Sequence, residues 1–282
     1  MIPDTPPIRP GLIAKCMTPS KEIKKNVKLS RRYQHVEWGV LNKPSCALVG
    51  GGPSAKTSLE ALRKWPGDVI AVNDTAKFLS DNGIPCYIYS ADSTDVLFKI
   101  GSLVKGALFA SRCHREQFKQ FKRADVRIFH MLEDGNPGDV EGGGTGVCRT
   151  PHLLLRMGYQ GVYYFGCDGS FYDVSHVTGK SEAALWNMMI VRAGGIDYLT
   201  NAAFVLQSEY LVKTMLKHPQ FLHNASGGLL KAMQEHWNTW EVVAIRDDLR
   251  KQYQAQGVTA WSVDYDMREH QIWKPEAAYA AG

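Results

Sequence analysis

The chain has 282 residues, of which 44% are hydrophobic, 22% charged and 10% aromatic, with a formal net charge of +5. This is the composition of a globular protein with a sizeable core, and it excludes a mostly disordered, collagen-like or coiled-coil chain. No run approaches the ~18 apolar residues that span a bilayer.

Residues 1–43 carry nine Lys/Arg against Asp4, Glu22 and Glu37, a net of +6. The segment opens Met1-Ile-Pro-Asp-Thr-Pro-Pro7, with no basic stretch leading into an apolar one, so no secretory signal is expected. Its proline-rich start and weak periodicity read as a basic N-terminal extension holding a short helix around 20–33. Residues 44–200 read as the core, and 201–282 as a mostly helical part completing it. Cys16, Cys46, Cys86, Cys113, Cys148 and Cys167 are scattered without a C-x-x-C pair. That pattern disfavours a zinc site or a disulfide framework and fits a reducing cytoplasm.

Cys46–Val49 is a short apolar run ending in Gly50-Gly-Gly-Pro-Ser54, and an amphipathic stretch with Leu59, Leu62 and Trp65 follows. Val69–Val72 is the next strand and ends at Asn73-Asp74; a helix over 75–82 is stopped by Gly83 and Pro85. Tyr87–Tyr89 is a strand ending in Ser90-Ala-Asp92. Ala107–Ala110 and Val126–Phe129 are two more, joined by a basic helix. The stretch Lys99–Arg127 holds eight Lys/Arg against Glu116 and Asp125, and an acidic loop with Glu133, Asp134, Asp139 and Glu141 follows. Residues 145–157 read as a helix closed by Gly158, and Val162–Phe165 as a strand ending in Gly166-Cys-Asp168. Helices are expected over 180–194, 202–217 and 228–255, with a late strand near 258–263. Alternating strands and helices predict an α/β, doubly wound, mostly parallel sheet.

Ligands of such sheets bind beyond the carboxyl ends of the strands, where five polar or Gly-rich strand ends gather here. The turn Gly50–Ser54 suits close backbone approach to a ligand, and a helix start favours phosphate. It is neither G-x-G-x-x-G, since Ala55 holds the last glycine position, nor a P-loop, so a classical NAD enzyme or Walker ATPase is disfavoured.

Gly50–Ser54, Asn73, Asp92, Gly144-Thr-Gly-Val147 and Gly158-Tyr-Gln-Gly-Val-Tyr-Tyr-Phe-Gly-Cys-Asp168 occur in an order that resembles two related Rossmann-like families. One comprises motility accessory factor glycosyltransferases and archaeal 6-hydroxymethylpterin diphosphokinases. The other comprises bacterial sialyltransferases that use CMP-sialic acid. The resemblance covers roughly residues 46–182, with a weaker echo at Asn224-Ala-Ser-Gly-Gly228. It implies Gly50, Gly51, Gly52 and Ser54 under a nucleotide phosphate, and Asn73, Asp92, Thr145, Gly146 and Gly166 around the donor. It also implies that Asp168 holds the ribose or the transferred group, and that Tyr172 donates to the leaving phosphate. The chain departs from the sialyltransferases at Gly51, where they have Asn, and at Lys180 and Val177, where they have the His base and a Tyr.

His176 is the general-base candidate, because it titrates near neutral pH and sits just after a strand end; an exposed loop histidine is the plainer alternative. Lys180 suits neutralising a leaving phosphate or is an ordinary surface lysine. Asp92 with Asp95, or Asp264 with Asp266, are candidate metal carboxylates.

These residues predict a nucleotide-sugar-dependent glycosyltransferase acting on an acceptor hydroxyl of a glycan, protein or modified nucleic acid, with no cofactor required. The competing enzyme class is Mg²⁺-dependent pyrophosphoryl transfer to a pterin-like alcohol. A third class is a non-catalytic module binding nucleotide or nucleic acid through the basic segments and Tyr33, Trp38, Trp237 and Trp240. The basic extension predicts an anionic acceptor, nucleic acid, a membrane surface or a partner chain. The resembled sialyltransferases assemble as homo-oligomers.

Overall fold

A computed structural model of the chain describes residues 18–39, 45–95, 97–132, 140–171, 175–177, 179–180 and 188–245. Cys16, Tyr172, Asp264, Asp266, the acidic residues 133–139 and the expected strand at 258–263 lie outside the described residues.

Eight parallel strands form the central sheet: β1 (Gln34–His35), β2 (Cys46–Val49), β3 (Asp68–Val72), β4 (Cys86–Ser90), β5 (Val104–Ala110), β6 (Val126–Phe129), β7 (Val162–Phe165) and β12 (Leu222–Asn224), in the order β1-β6-β5-β4-β3-β2-β7-β12. Helices flank it, giving the expected Rossmann-like α/β fold. Every β2 residue is buried, as a strand covered on both faces requires. Cys46 pairs with Asp68 of β3 on one side and Val162 of β7 on the other. From β2 the chain steps outward to β6, then returns to the opposite side of β2 with β7. The carboxyl ends of β2 and β7 thus flank the switch point of the sheet, the place where folds of this kind take their ligands.

Short helices connect these strands: α2 (Ser54–Thr57), α3 (Leu59–Arg63), α4 (Thr75–Asp81), α5 (Arg115–Phe118) and α6 (Thr150–Arg156). The expected single helices are shorter than their sequence windows. The 145–157 window opens with a 3-10 turn over Val147–Arg149, and the basic connection ends in another over Arg123–Asp125. The basic N-terminal segment holds α1 (Ser20–Ser30), inside its expected window, and then adds β1 to the sheet edge. Tyr33 and Val36 are buried, so residues 18–39 are continuous with the core.

Of the helix expected over 180–194, residues 181–187 lie outside the described residues, and the part from Met188 on is not helical. Met188–Ala193 is a strand, β10, paired antiparallel with β11 (Ile196–Asn201) across Gly194-Gly195. Both glycines have positive φ (60° and 78°), the conformation that closes a two-residue hairpin. The helix expected over 228–255 ends at Glu235 as α8 (Gly228–Glu235), and the β-branched Glu241–Ile245 becomes β13, on the other edge of β10. Only α7 (Ala202–Lys217) matches its expected span. Asn201 caps it by accepting from the Phe204 amide at 2.9 Å. A two-stranded hairpin, β8 (Ser175–His176) and β9 (Gly179–Lys180), follows β7.

Of the aromatic residues expected to stack on nucleic-acid bases, Tyr33 and Trp240 are buried, Trp237 is half-buried and Trp38 is exposed. Tyr33 stacks on Phe118 with centroids 4.8 Å apart, and Trp240 is fully buried. Trp237 packs against the core, and the Arg156 guanidinium lies 4.1 Å over the Trp38 ring.

Two stability predictions follow from backbone and burial. Gly166 has φ +61°, and a Cβ there would lie 2.5 Å from the Gly50 carbonyl oxygen, whereas Gly195 at φ +78° meets nothing within 4 Å. In urea denaturation Gly195→Ala should cost about 1 kcal/mol, the penalty for a left-handed alanine. Gly166→Ala should cost about 2 kcal/mol more, from the added clash. His152 is buried and its Nδ1 accepts from the Glu141 amide at 2.7 Å, so the ring is neutral. Desolvation, helped by Arg156, holds its pKa below the ordinary value of 6.5. The unfolded chain therefore binds the proton first, and stability should fall as pH drops below about 6.5. His152→Gln should flatten that slope in denaturation curves collected from pH 7 to 5.

Candidate functional site

At the switch point lies a joint between the turns that follow β2 and β7. The Gly50 amide donates to Phe165 O at 2.8 Å and the Gly52 amide to Gly166 O at 2.7 Å, extending the β2–β7 pairing past the strand ends. Glycine is required at this approach. A Cβ on Gly50 would sit 2.6 Å from Gly166 O, and one on Gly52 would sit 2.7 Å from the Asp168 carboxyl carbon.

Asp168 is 3% exposed. Its Oδ2 accepts the Ser54 amide at 2.8 Å, and its Oδ1 accepts both the Ser54 hydroxyl and, at 3.1 Å, the Gly227 amide. The carboxylate therefore sits at the start of α2, where backbone donors would otherwise face solvent. With Gly52 and Ser54 already donating within the protein and Pro53 lacking an N–H, the turn is not the open phosphate cradle that its sequence suggests. Gly51 N–H is the turn's remaining amide, and it has no hydrogen-bond partner among the described residues.

The string Asn224–Gly228 closes the joint from a third segment. Asn224 Oδ1 accepts the Ser226 amide at 2.8 Å, a local turn that lets the Ser226 hydroxyl donate to Tyr164 O at 2.9 Å. That hydroxyl also accepts the Cys167 amide at 2.9 Å, and the Leu230 amide donates to Asp168 O at 2.9 Å. Burial and the neighbouring Asp168 raise the Cys167 thiol to about 12, so it stays a neutral packing group.

The remaining expected residues fall into two groups. The first lies at the ends of β3 and β4. Asn73 takes a left-handed conformation (φ 51°), its amide donates to Tyr89 O at 2.9 Å, and its buried side-chain oxygen has no hydrogen-bond partner among the described residues. Next to it, burial raises the Asp74 carboxyl above its ordinary range, with Lys99 opposing the shift. Gly146 packs over the same strand ends, its carbonyl accepting the Tyr89 hydroxyl at 2.7 Å. Thr145 donates to Gln207 at 2.9 Å, and a Cβ on Gly169 would strike Ser208. Adjacent residues of α7 thus link the Thr145 loop to the end of β7.

The second group is the β8–β9 hairpin. The Val177 amide donates to Gly51 O at 3.1 Å, which brings the backbone of His176 beside the glycine turn. Gly179 pairs with His176, and Lys180 with Ser175. Asp92 follows the end of β4. Its carboxylate caps a local turn, accepting the Thr94 amide at 2.9 Å and hydroxyl at 2.7 Å, while Asp95 lies 3.1 Å from His114 Nδ1. No group of three or more His, Cys, Asp or Glu is arranged around a metal position among the described residues.

Sequence reasoning missed Ser226, Gly227, Tyr89 and Gln207 as members of the site. The first two carried a signal in the N-x-S-G-G string; Tyr89 and Gln207 read as ordinary strand and helix residues. Comparison of the chain with protein-family models, with curated proteins and with solved structures finds no match.

The joint yields a prediction that separates a positioning Asp168 from one that acts only on a ligand. Asp168→Ala leaves two amides and a hydroxyl without their acceptor, and should cost about 3 kcal/mol in urea denaturation. Asp168→Asn, which keeps one acceptor oxygen, should cost about half of that. Unchanged stability in both variants would show that the carboxylate does not hold the joint.

Proposed function

We propose that the chain is a nucleotide-sugar-dependent glycosyltransferase whose donor lies at the β2–β7 switch point. The observation that carries this reading is the tie between Val177 N and Gly51 O, which sets the hairpin bearing His176 against the turn with an unengaged amide. In this reading the leaving phosphate lies over Gly51 N–H, with the helix dipole beside it. The Asn73 oxygen, a buried acceptor without a partner among the described residues, takes a hydroxyl or amino donor of the nucleoside.

The chemistry is a displacement at the anomeric carbon. The acceptor hydroxyl gives its proton to the His176 imidazole as its oxygen bonds to that carbon, and the carbon–oxygen bond to the phosphate breaks. The electron pair leaves on the nucleotide phosphate, where Gly51 N–H and the Lys180 ammonium offset the growing charge. Asp168 acts at one remove, by fixing the glycine turn.

A thermal-shift series across nucleotides and nucleotide sugars, with and without Mg²⁺, tests this reading. A nucleotide sugar at 100 times its Kd should stabilise the fold by about 2.7 kcal/mol, a rise of a few degrees. Donor turnover should not require Mg²⁺, and should drop ~10²-fold or more in His176→Ala with donor affinity retained. A shift only with ATP and Mg²⁺, with release of AMP, would point to pyrophosphoryl transfer instead. No shift with any nucleotide would overturn the reading.

A further inference from the structure

The two basic stretches stand about 80 residues apart in sequence, and the fold brings them together. Asn26 of α1 donates to Arg112 O at 3.2 Å, and Tyr33, just beyond α1, stacks on Phe118 of α5. The helix α1 therefore packs beside α5, which leads into the 119–127 segment and β6, at the β6–β1 edge of the sheet. Residues 1–43 and 99–127 each carry a net +6, against −7 for the rest of the chain, so the mild overall charge conceals a strongly polar molecule.

The outward positions of α1 are Lys21, Lys24, Lys25, Lys28, Leu29 and Arg31, with Arg32 after them, and all are exposed. On the neighbouring segment Arg115, Lys119, Lys122 and Arg123 are exposed. Glu22 and Glu116 offset part of this charge, through Lys25 at 3.7 Å, Lys119 at 2.7 Å and Arg115 at 3.3 Å. Lys21, Lys24, Lys28, Arg31, Lys122 and Arg123 have no carboxylate partner among the described residues. Keeping so many like charges together opposes folding unless a counter-charge is at hand.

We propose that this face, formed by α1, α5 and residues 119–127, docks the phosphate backbone of a nucleic acid without reading its sequence. The other polyanionic surface, an anionic membrane, fits less well. A helix lying on a membrane buries its apolar side in lipid. Here Asn26 and Ser30 are buried against the protein, Ile23 and Val27 are half-buried, and the outward side offers only Leu29, 37% exposed, as an apolar group. An acidic protein partner would ordinarily supply buried anchors, and the described residues of this face form no apolar cluster to meet them. A line of unpaired cations along a helix about 16 Å long matches the regular charge of a phosphate backbone.

The face lies four strands from β2, about 19 Å across the sheet from the switch point. It is therefore separate from the donor position, and the inference stands or falls independently of the glycosyltransferase reading.

The test is fluorescence anisotropy of the full chain with a labelled 20-base-pair duplex of arbitrary sequence and with a labelled single strand, from 50 to 300 mM salt. The expected result is binding that weakens steeply with salt, with a log–log slope of about −3 to −5 on the duplex. Lys24→Glu/Lys28→Glu and Lys122→Glu/Arg123→Glu should each weaken it about tenfold or more and reduce the slope by about 2. Lys64→Glu/Lys231→Glu, at exposed lysines elsewhere, should change it less than about twofold. Circular dichroism confirms that each variant is folded. Absence of binding at 50 mM salt, or binding that both patch variants leave unchanged, would overturn the proposal. So would tighter binding to phosphatidylserine vesicles than to either nucleic acid, lost in the same variants.

Discussion

The carboxylate of Asp168 accepts hydrogen bonds from residues 114 positions before it and 59 after it. It is nearly sealed from solvent, so those donors replace the water it would otherwise hold. The arrangement fixes how the β2 turn, the β7 turn and the Asn224–Gly228 turn meet. Because β2 and β7 sit on either side of the point where the sheet reverses its strand order, the same bonds set the geometry of the switch point. Glycine at positions 50, 52 and 166 is the steric condition for the approach, and Asp168 is the polar condition for keeping it.

This arrangement changes what the glycine turn can do. A helix start attracts anions through its free amides and its dipole. In this chain the protein supplies the anion itself, and Ser54 N–H is committed to it. In the proposed reading, a ligand phosphate at the switch point is held from the side, by Gly51 and the hairpin that touches it, rather than from beneath. The molecule also separates its charges. Its cations gather at the β6–β1 edge, while the switch point carries a carboxylate with satisfied bonds.

Much of the sheet was legible because parallel strands buried on both faces read as short apolar runs closed by Gly, Asn or Asp. Cys46–Val49, Val126–Phe129 and Val162–Phe165 are such runs, and each is a strand. Ala202–Lys217 was legible from its periodicity. The β10–β11 hairpin was not read, because Met188–Ala193 alternates poorly and its apolar content fits helix and strand alike. Gly194-Gly195 was the signal that could have decided it. At the candidate site, Gly166-x-Asp168 singled out the end of β7, but nothing local to it tells that Ser54 and Gly227 occupy its oxygens. Such partners are set by topology. Asp92 shows the opposite case, a strand-end carboxylate whose partner is its own neighbour Thr94.

Residue-resolved amide hydrogen exchange tests most directly whether the Asp168 joint, with Gly51 as its open amide, forms the floor of a donor site. In the free protein Gly52, Ser54 and Gly227 should exchange slowly, and Gly51 should exchange at the rate of an open turn. A bound nucleotide sugar should slow Gly51 and leave the other three unchanged. Fast exchange at Ser54 and Gly227 in the free protein, with protection there only when a nucleotide is added, would contradict this. It would mean that Asp168 yields its place to the phosphate rather than holding the turn.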